Sequence, residues 1–183
     1  AMAQLSHPNV VSVHDVGMSD GRMFLAMEHI DGSALSEVLR DDLPWTRVLT
    51  LFLEAGRGLA AAHNAGLIHR DFKPQNAMWG KDGRVRVLDF GLARDSGDEA
   101  SAPAEALTPG ELAGPLTKTG ALMGTPLYMS PEQFESALCD ARSDQFSFCV
   151  SLWQGLYGET PFPWATLEEL KRSVLHRTLR PVP

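Results

Sequence analysis

Between His69 and Asn76 the chain reads "HRDFKPQN", and thirteen residues past Asn76 comes Asp89, in "LDFG". Pro74 blocks a regular helix through the run. Phe72 is an apolar anchor, so the polar side chains are expected on a loop. Asp71 can accept a proton from a hydroxyl. Lys73 can neutralise a phosphate, and Asn76 can bind a hard cation through its side-chain oxygen. If a hairpin separates Asn76 from Asp89, the two residues meet at its open end. A carboxylate and an amide oxygen beside a lysine make a site for Mg2+ carrying a polyphosphate. Phosphoryl transfer needs these parts: charge neutralisation, in-line positioning and a base for the incoming oxygen.

Elements must hold these residues in place. "AMAQLSHPNV" reads as the tail of a helix stopped before Pro8. "VVSVHDVG", the turn "SDGR" and "MFLAMEH" read as a hairpin. A two-stranded hairpin alone is marginal in water. This one is apolar on much of both faces, so it wants neighbouring strands, and the stretch from Val11 to Met27 is expected to expose apolar surface that invites pairing. "SALSEVLR" predicts a helix with Ser33 as N-cap. In "PWTRVLTLFLEAGRGLAAAHNAG", Val48, Phe52, Ala55, Leu59 and Ala62 recur at helical spacing. Pro44 suits the first turn and Gly66 the stop. "LIH" reads as a short strand leading into the quoted loop. "AMWGKDGRVRVLDFG" reads as a hairpin turning at Asp82-Gly83. Residues from about 96 to 115 are rich in Ala, Pro, Gly and Glu, which predicts a mobile loop. "DQFSFCVSLWQGLYG" is apolar nearly all round and predicts a buried helix. "TLEELKRSVLH" predicts an amphipathic helix with a capping box, Thr166 and Glu169. The order is a small strand region followed by helices and short hairpins. The fold class is therefore α+β, mostly helical in its larger part.

Composition narrows the function classes. The 183 residues suffice for one domain with a sizeable core. The net charge of −7 argues against nucleic acid or an anionic membrane as partner. Two cysteines, Cys139 and Cys149, are too few for a disulfide framework, which makes a reducing compartment the default. No apolar run approaches the about 20 residues that span a bilayer.

"HRDFKPQN", "LDFG" and "GTPLYMSPE" stand in the order and at the spacing of the eukaryotic-like, bacterial-type serine/threonine protein kinases, which the chain resembles over essentially its whole length. The resemblance implies a protein-kinase-like fold, mainly the helical C-lobe, with a remnant two-stranded hairpin of the N-lobe. Residues 1–32 would be that remnant, with the end of helix C, strands 4 and 5 and the hinge. Residues 33–183 would be the C-lobe, with an activation segment over 89–132 that carries the mobile insert.

By the same resemblance Asp71 is the catalytic base, Lys73 stabilises the transferring phosphoryl group, and Asn76 and Asp89 ligate the metal. Lys73, two places after Asp71, and Thr125, which contacts both, are the serine/threonine pattern. Ser130 stands where alanine is commoner. Met27 corresponds to the gatekeeper. The Glu28 carbonyl and Ile30 amide would bond the adenine edge, with Met78 beneath the ring. Met2, Val13, His69 and Phe90 resemble the apolar column joining the lobes, and Asp144 the aspartate that anchors the backbone at His69 and Arg70. Arg70 and Arg94 would form a phosphate pocket, with Thr117 and Thr119 as phosphorylation sites that order the segment. The implied cofactors are ATP and Mg2+, with Mn2+ as a substitute. The implied partners are proteins presenting Ser or Thr, and a second copy for trans-autophosphorylation. The implied location is the cytoplasm, with any membrane tether outside these residues.

Each residue taken alone has a plainer reading. Asp71 can cap a loop, Asn76 and Asp89 can form turns, and Met27 and Met78 can fill core gaps. His69 is expected to be a packed structural residue. No glycine-rich loop, strand lysine or helix-C glutamate of the family occurs in the sequence. A non-catalytic, kinase-like scaffold is therefore the alternative to the enzyme, and the piece alone is expected to transfer little phosphate. A small-molecule kinase of the aminoglycoside type shares the aspartate–asparagine loop but not "GTPLYMSPE".

Overall fold

The computed structural model describes residues 5–19, 22–90, 125–135 and 137–183. Met2, Arg94, Thr117, Thr119 and the stretch from 96 to 115 lie outside the described residues, as do residues 1–4 of the expected helix tail. Strand β1 (Val13–Ser19) pairs antiparallel with β2 (Arg22–Met27), with Val16 opposite Leu25. This is the expected hairpin, but it starts later than the alternation suggests. Val10 and Val11 are buried and pair elsewhere: Val10 bridges Val87 in parallel, and the Val11 amide donates to the Val87 carbonyl at 3.0 Å.

A second, three-stranded antiparallel sheet has the order β3 (Gly32–Ala34), β4 (Ala77–Gly80), β5 (Val85–Val87). Ser33 is inside β3, opposite Trp79, and does not cap a helix. Helix α1 (Leu35–Val38) starts instead after Ala34, with no side-chain cap, because the ladder to β4 already commits Ser33 to extended backbone. Helix α2 (Trp45–Asn64) buries Val48, Leu51, Phe52, Ala55, Gly58, Leu59 and Ala62, the stripe that its 3.6-residue period places on one face. Pro44 stands at the N-cap rather than inside the first turn. Gly58 has a packing reason: a Cβ there would lie 2.3 Å from the Asn9 carbonyl oxygen.

"LIH" is not a strand. Residues 67–69 run irregularly and lead to a one-turn 3-10 helix, Pro74–Asn76. Past the undescribed stretch come a 3-10 turn (Thr125–Tyr128), the short helix α3 (Pro131–Phe134), α4 (Ala141–Tyr157) and α5 (Leu167–Leu175). Helix α4 is not buried all round. Its buried face is Ser143, Asp144, Ser147, Val150 and Ser151, while Cys149 is exposed. The serines are tolerated because each is bonded: Ser147 Oγ to the Tyr128 carbonyl (2.7 Å) and Ser151 Oγ to the Ser147 carbonyl (2.8 Å). Helix α5 has the expected Thr166 cap, accepting from the Glu169 amide, but the Glu169 carboxylate bonds the Ala165 amide rather than that of Thr166.

One core joins Val10, Leu35, Leu51, Ala55, Leu59, Phe72, Val85, Val87 and Phe90, and a second joins Tyr128, Val150, Phe162, Leu170 and Val174. The first lies directly under the quoted loop. Among the described residues no helix is long and apolar enough to cross a membrane.

Candidate active site

The loop from His69 to Asn76 is held by its backbone and its apolar members. Phe72 is fully buried and meets Phe148 of α4 at 5.8 Å between ring centres. Asp144, 1% exposed in the first turn of α4, accepts from the His69 amide and from the Arg70 amide, both at 2.7 Å, and from His63 Nε2 at 2.7 Å. A buried carboxylate is tolerated there because hydrogen bonds replace its lost water. Arg70 has φ of 67°, a left-handed conformation uncommon for a residue with a side chain.

His69 is fully buried and works as a strut. Its Nδ1 accepts from the Asp71 amide (3.3 Å) and its Nε2 donates to the Leu88 carbonyl (2.8 Å), so the ring is a neutral imidazole in one tautomer. Burial lowers its pKa, against the opposing pull of the Asp144 charge. Its ring also packs on Phe90 at 4.8 Å. The described part of the expected apolar column thus includes a direct His69–Phe90 contact.

The polar side chains converge. Lys73 is extended (φ −160°), which returns its side chain to the side of Asp71, and its Nζ bonds Asp71 Oδ2 at 2.7 Å. Asn76 Nδ2 donates to the Asp71 carbonyl (2.8 Å) and to Asp71 Oδ2 (3.3 Å). Asp71 Oδ1 is buried and has no hydrogen-bond partner among the described residues. One carboxylate oxygen is therefore fixed by a cation and an amide, and the other is unengaged.

Asp89 stands two residues past β5, exposed, with φ of 54°. The Leu88 amide donates to the Asn76 carbonyl at 2.8 Å, which joins the start of β4 to the residue before Asp89. Asn76 uses its amide nitrogen for Asp71, so its side-chain oxygen is not spent in those bonds. An amide oxygen and an exposed carboxylate are oxygen donors of the kind a hard divalent cation takes. No group of three or more His, Cys, Asp or Glu side chains suited to a metal occurs among the described residues. The residues present fit a metal that draws its other oxygens from phosphate and water.

Met27, Glu28 and Ile30 follow β2. The Glu28 amide donates to the Ser12 carbonyl (2.8 Å), and its carboxylate accepts from Arg86 Nε (3.1 Å). Met27 is 38% exposed, and Met78 is half-buried, paired with Ala34 across β3 and β4. The Thr125 backbone opens the 3-10 turn. A cavity of about 690 Å3 lies among α3, α4 and α5 and includes none of the loop residues 69–76.

Three partners were not singled out in the sequence. His63 supplies the third bond to Asp144. Glu54 accepts from the Val85 amide (2.7 Å) and faces Asn9 Nδ2, which also bonds the Val85 carbonyl (2.8 Å). Gln133 Nε2 donates to the Arg70 carbonyl at 2.7 Å. Only Gln133 had a readable signal, the Ser130-x-x-Gln133 capping pattern.

Residues 1–181 match the family model described as the protein kinase domain. The chain is 39% identical over 164 residues to the serine/threonine-protein kinase PknL of Mycobacterium tuberculosis, covering 88% of this chain and 37% of that protein. It is 38% identical over 169 residues to the serine/threonine-protein kinase pkn3 of Myxococcus xanthus, covering 88% and 29%. It is 36% identical over 166 residues to the serine/threonine-protein kinase PknB of Mycolicibacterium smegmatis, covering 87% and 24%. The chain thus spans well under half the length of these curated relatives.

Proposed function

The chain belongs to the protein kinase family, and from that premise we propose that the protein containing it transfers the γ-phosphate of ATP to Ser and Thr hydroxyls of proteins, in signalling. Asp71 Oδ1 accepts the hydroxyl proton as the new P–O bond forms and the bond to ADP breaks. Lys73 holds Asp71 Oδ2 and offsets charge on the transferring group. Asn76 and Asp89 hold Mg2+, or Mn2+ in its place, which when bound neutralises the phosphates. Residues 27–30 and Met78 meet the adenine. Residues 1–32 belong to the nucleotide-facing lobe and 33–183 to the lobe that receives the protein substrate. Thr117 and Thr119 are phosphorylated by a second copy and pair with Arg70 and Arg94. The cytoplasm, where ATP is abundant, is the site of action.

One observation carries the reading. The Asp71 carboxylate has its Oδ2 pinned by Lys73 and Asn76, while its buried Oδ1 has no partner among the described residues. A structural aspartate satisfies both oxygens, whereas a base keeps one for its substrate. The test is 32P transfer from ATP to a generic Ser/Thr protein substrate by the intact protein. Asp71→Asn should lower kcat about 100-fold or more. Equal transfer by the wild type and the variant would sink the assignment.

A further inference from the structure

We propose that Gln133, in α3, is a positioning residue that clamps the loop bearing Asp71 and so sets the geometry of the base. The proposal rests on the reading of Asp71 given above. Arg70, next to Asp71, carries the left-handed φ of 67°. Such a conformation persists only where the surroundings fix it. Its peptide groups are gripped from two sides. The amide donates to Asp144 Oδ1 at 2.7 Å, and the carbonyl accepts from Gln133 Nε2 at 2.7 Å.

The Gln133 amide has one possible orientation. Its Oε1 accepts from the Ser130 amide (2.9 Å) and hydroxyl (3.2 Å), and a backbone N–H can only donate. Its Nε2 is thereby turned toward Arg70, whose carbonyl can only accept. Gln133 is in turn seated on α4, because Ser147 holds the Tyr128 carbonyl and Ser143 donates to the Glu132 carboxylate. Helix α4 therefore fixes Arg70 twice, directly through Asp144 and indirectly through Gln133.

The two halves of the amide separate by substitution. Gln133→Glu keeps the acceptor for Ser130, as in the commoner capping pattern, but turns an oxygen on the Arg70 carbonyl. Gln133→Lys keeps a donor for Arg70 and loses the cap. In the intact protein Q133E should leave KM for ATP unchanged and lower kcat about tenfold. Its deficit should narrow as pH falls toward 5.5, because a protonated Glu can donate to the carbonyl. Q133K should lower the melting temperature while keeping more of kcat than Q133E. Hydrogen exchange at the amides of residues 69–72 should quicken about tenfold in Q133E and stay near wild type in Q133K.

Wild-type exchange at 69–72 in Q133E overturns the clamp. Faster exchange with unchanged kcat overturns the positioning role. If the wild type transfers no phosphate at all, the kinase reading of Asp71 fails, and the exchange measurement still decides whether Gln133 fixes the loop.

Discussion

The loop at residues 69–76 and the β1–β2 hairpin invert the usual association of regular structure with firmness. The loop has one turn of 3-10 helix and nothing else regular, yet its backbone is held by Asp144, His69 Nδ1 and Gln133, and Phe72 and His69 are fully buried. The hairpin has a ladder interrupted only between Val13 and Asp15, yet Val16 is 52% exposed, Met18 68% and Phe24 43%. Hydrogen bonds within a two-stranded ladder fix two strands to each other and not to a body. What makes a segment rigid is the number of its groups answered by a separate element. The site is built on the firm region, as pre-organisation requires.

Removing the shared acceptor tests the contrast most severely. Asp144→Ala leaves the His69 and Arg70 amides and His63 without their partner in a site 1% exposed. It should cost roughly 3–5 kcal/mol in urea unfolding, and transfer activity should fall with it. Met18→Ser on the hairpin should stay within about 0.5 kcal/mol. Comparable losses for both would mean that the loop is no better held than the hairpin.

A smaller effect is expected where the chain just ahead of the hairpin is tied to the body. Asn9 lies against α2 at Gly58, and the Val87 amide donates to its carbonyl at 2.9 Å. A methyl at 58, 2.3 Å from that carbonyl, must push the segment off β5. Gly58→Ala should therefore destabilise by about 1–3 kcal/mol, despite alanine's better helix propensity. Unfolding midpoints measure it. A gain in stability would show that residues 9–11 move without cost, and that the hairpin is as loosely joined as it is exposed.

The contrast also explains what was legible in the sequence. The meeting of Asp71, Lys73 and Asn76 could be read because short spacing determines their neighbourhood. The stripe of α2 was legible because burial on one face imposes a period. Other features depend on tertiary answers that local pattern does not carry. Ser33 favours an N-cap by type, but pairing with Trp79 claims its backbone. Residues 67–69 look like a strand, but among the described residues no partner strand reaches them. In α4 the aromatic and aliphatic side chains suggested burial all round, whereas the buried positions besides Val150 are three serines and Asp144, each bonded to another part of the chain or to the preceding turn. The partners of His63 and Gln133 escaped notice because they are 81 and 63 residues away.

The smallest expected effect concerns the joint between the two regions. Arg86 of β5 reaches Glu28 after the hairpin (3.1 Å) and Asp82 in the β4–β5 turn (2.6 Å). The paired hydrogen bonds from the Arg86 guanidinium hold the Asp82 carboxyl down to about 2, against an ordinary value of 3.8. A folded-state value below the unfolded one means that the native state binds fewer protons between the two. The contribution is complete above about pH 4, and it disappears as the pH falls through 2. Asp82 is exposed, so solvent keeps the effect small. Denaturant midpoints between pH 5 and 2 should fall less steeply in Asp82→Asn than in wild type, with the two curves parallel above pH 5. Such an outcome places the acid sensitivity of the joint in the turn. An unchanged slope in the variant would remove the Asp82–Arg86 pair as the source of that sensitivity.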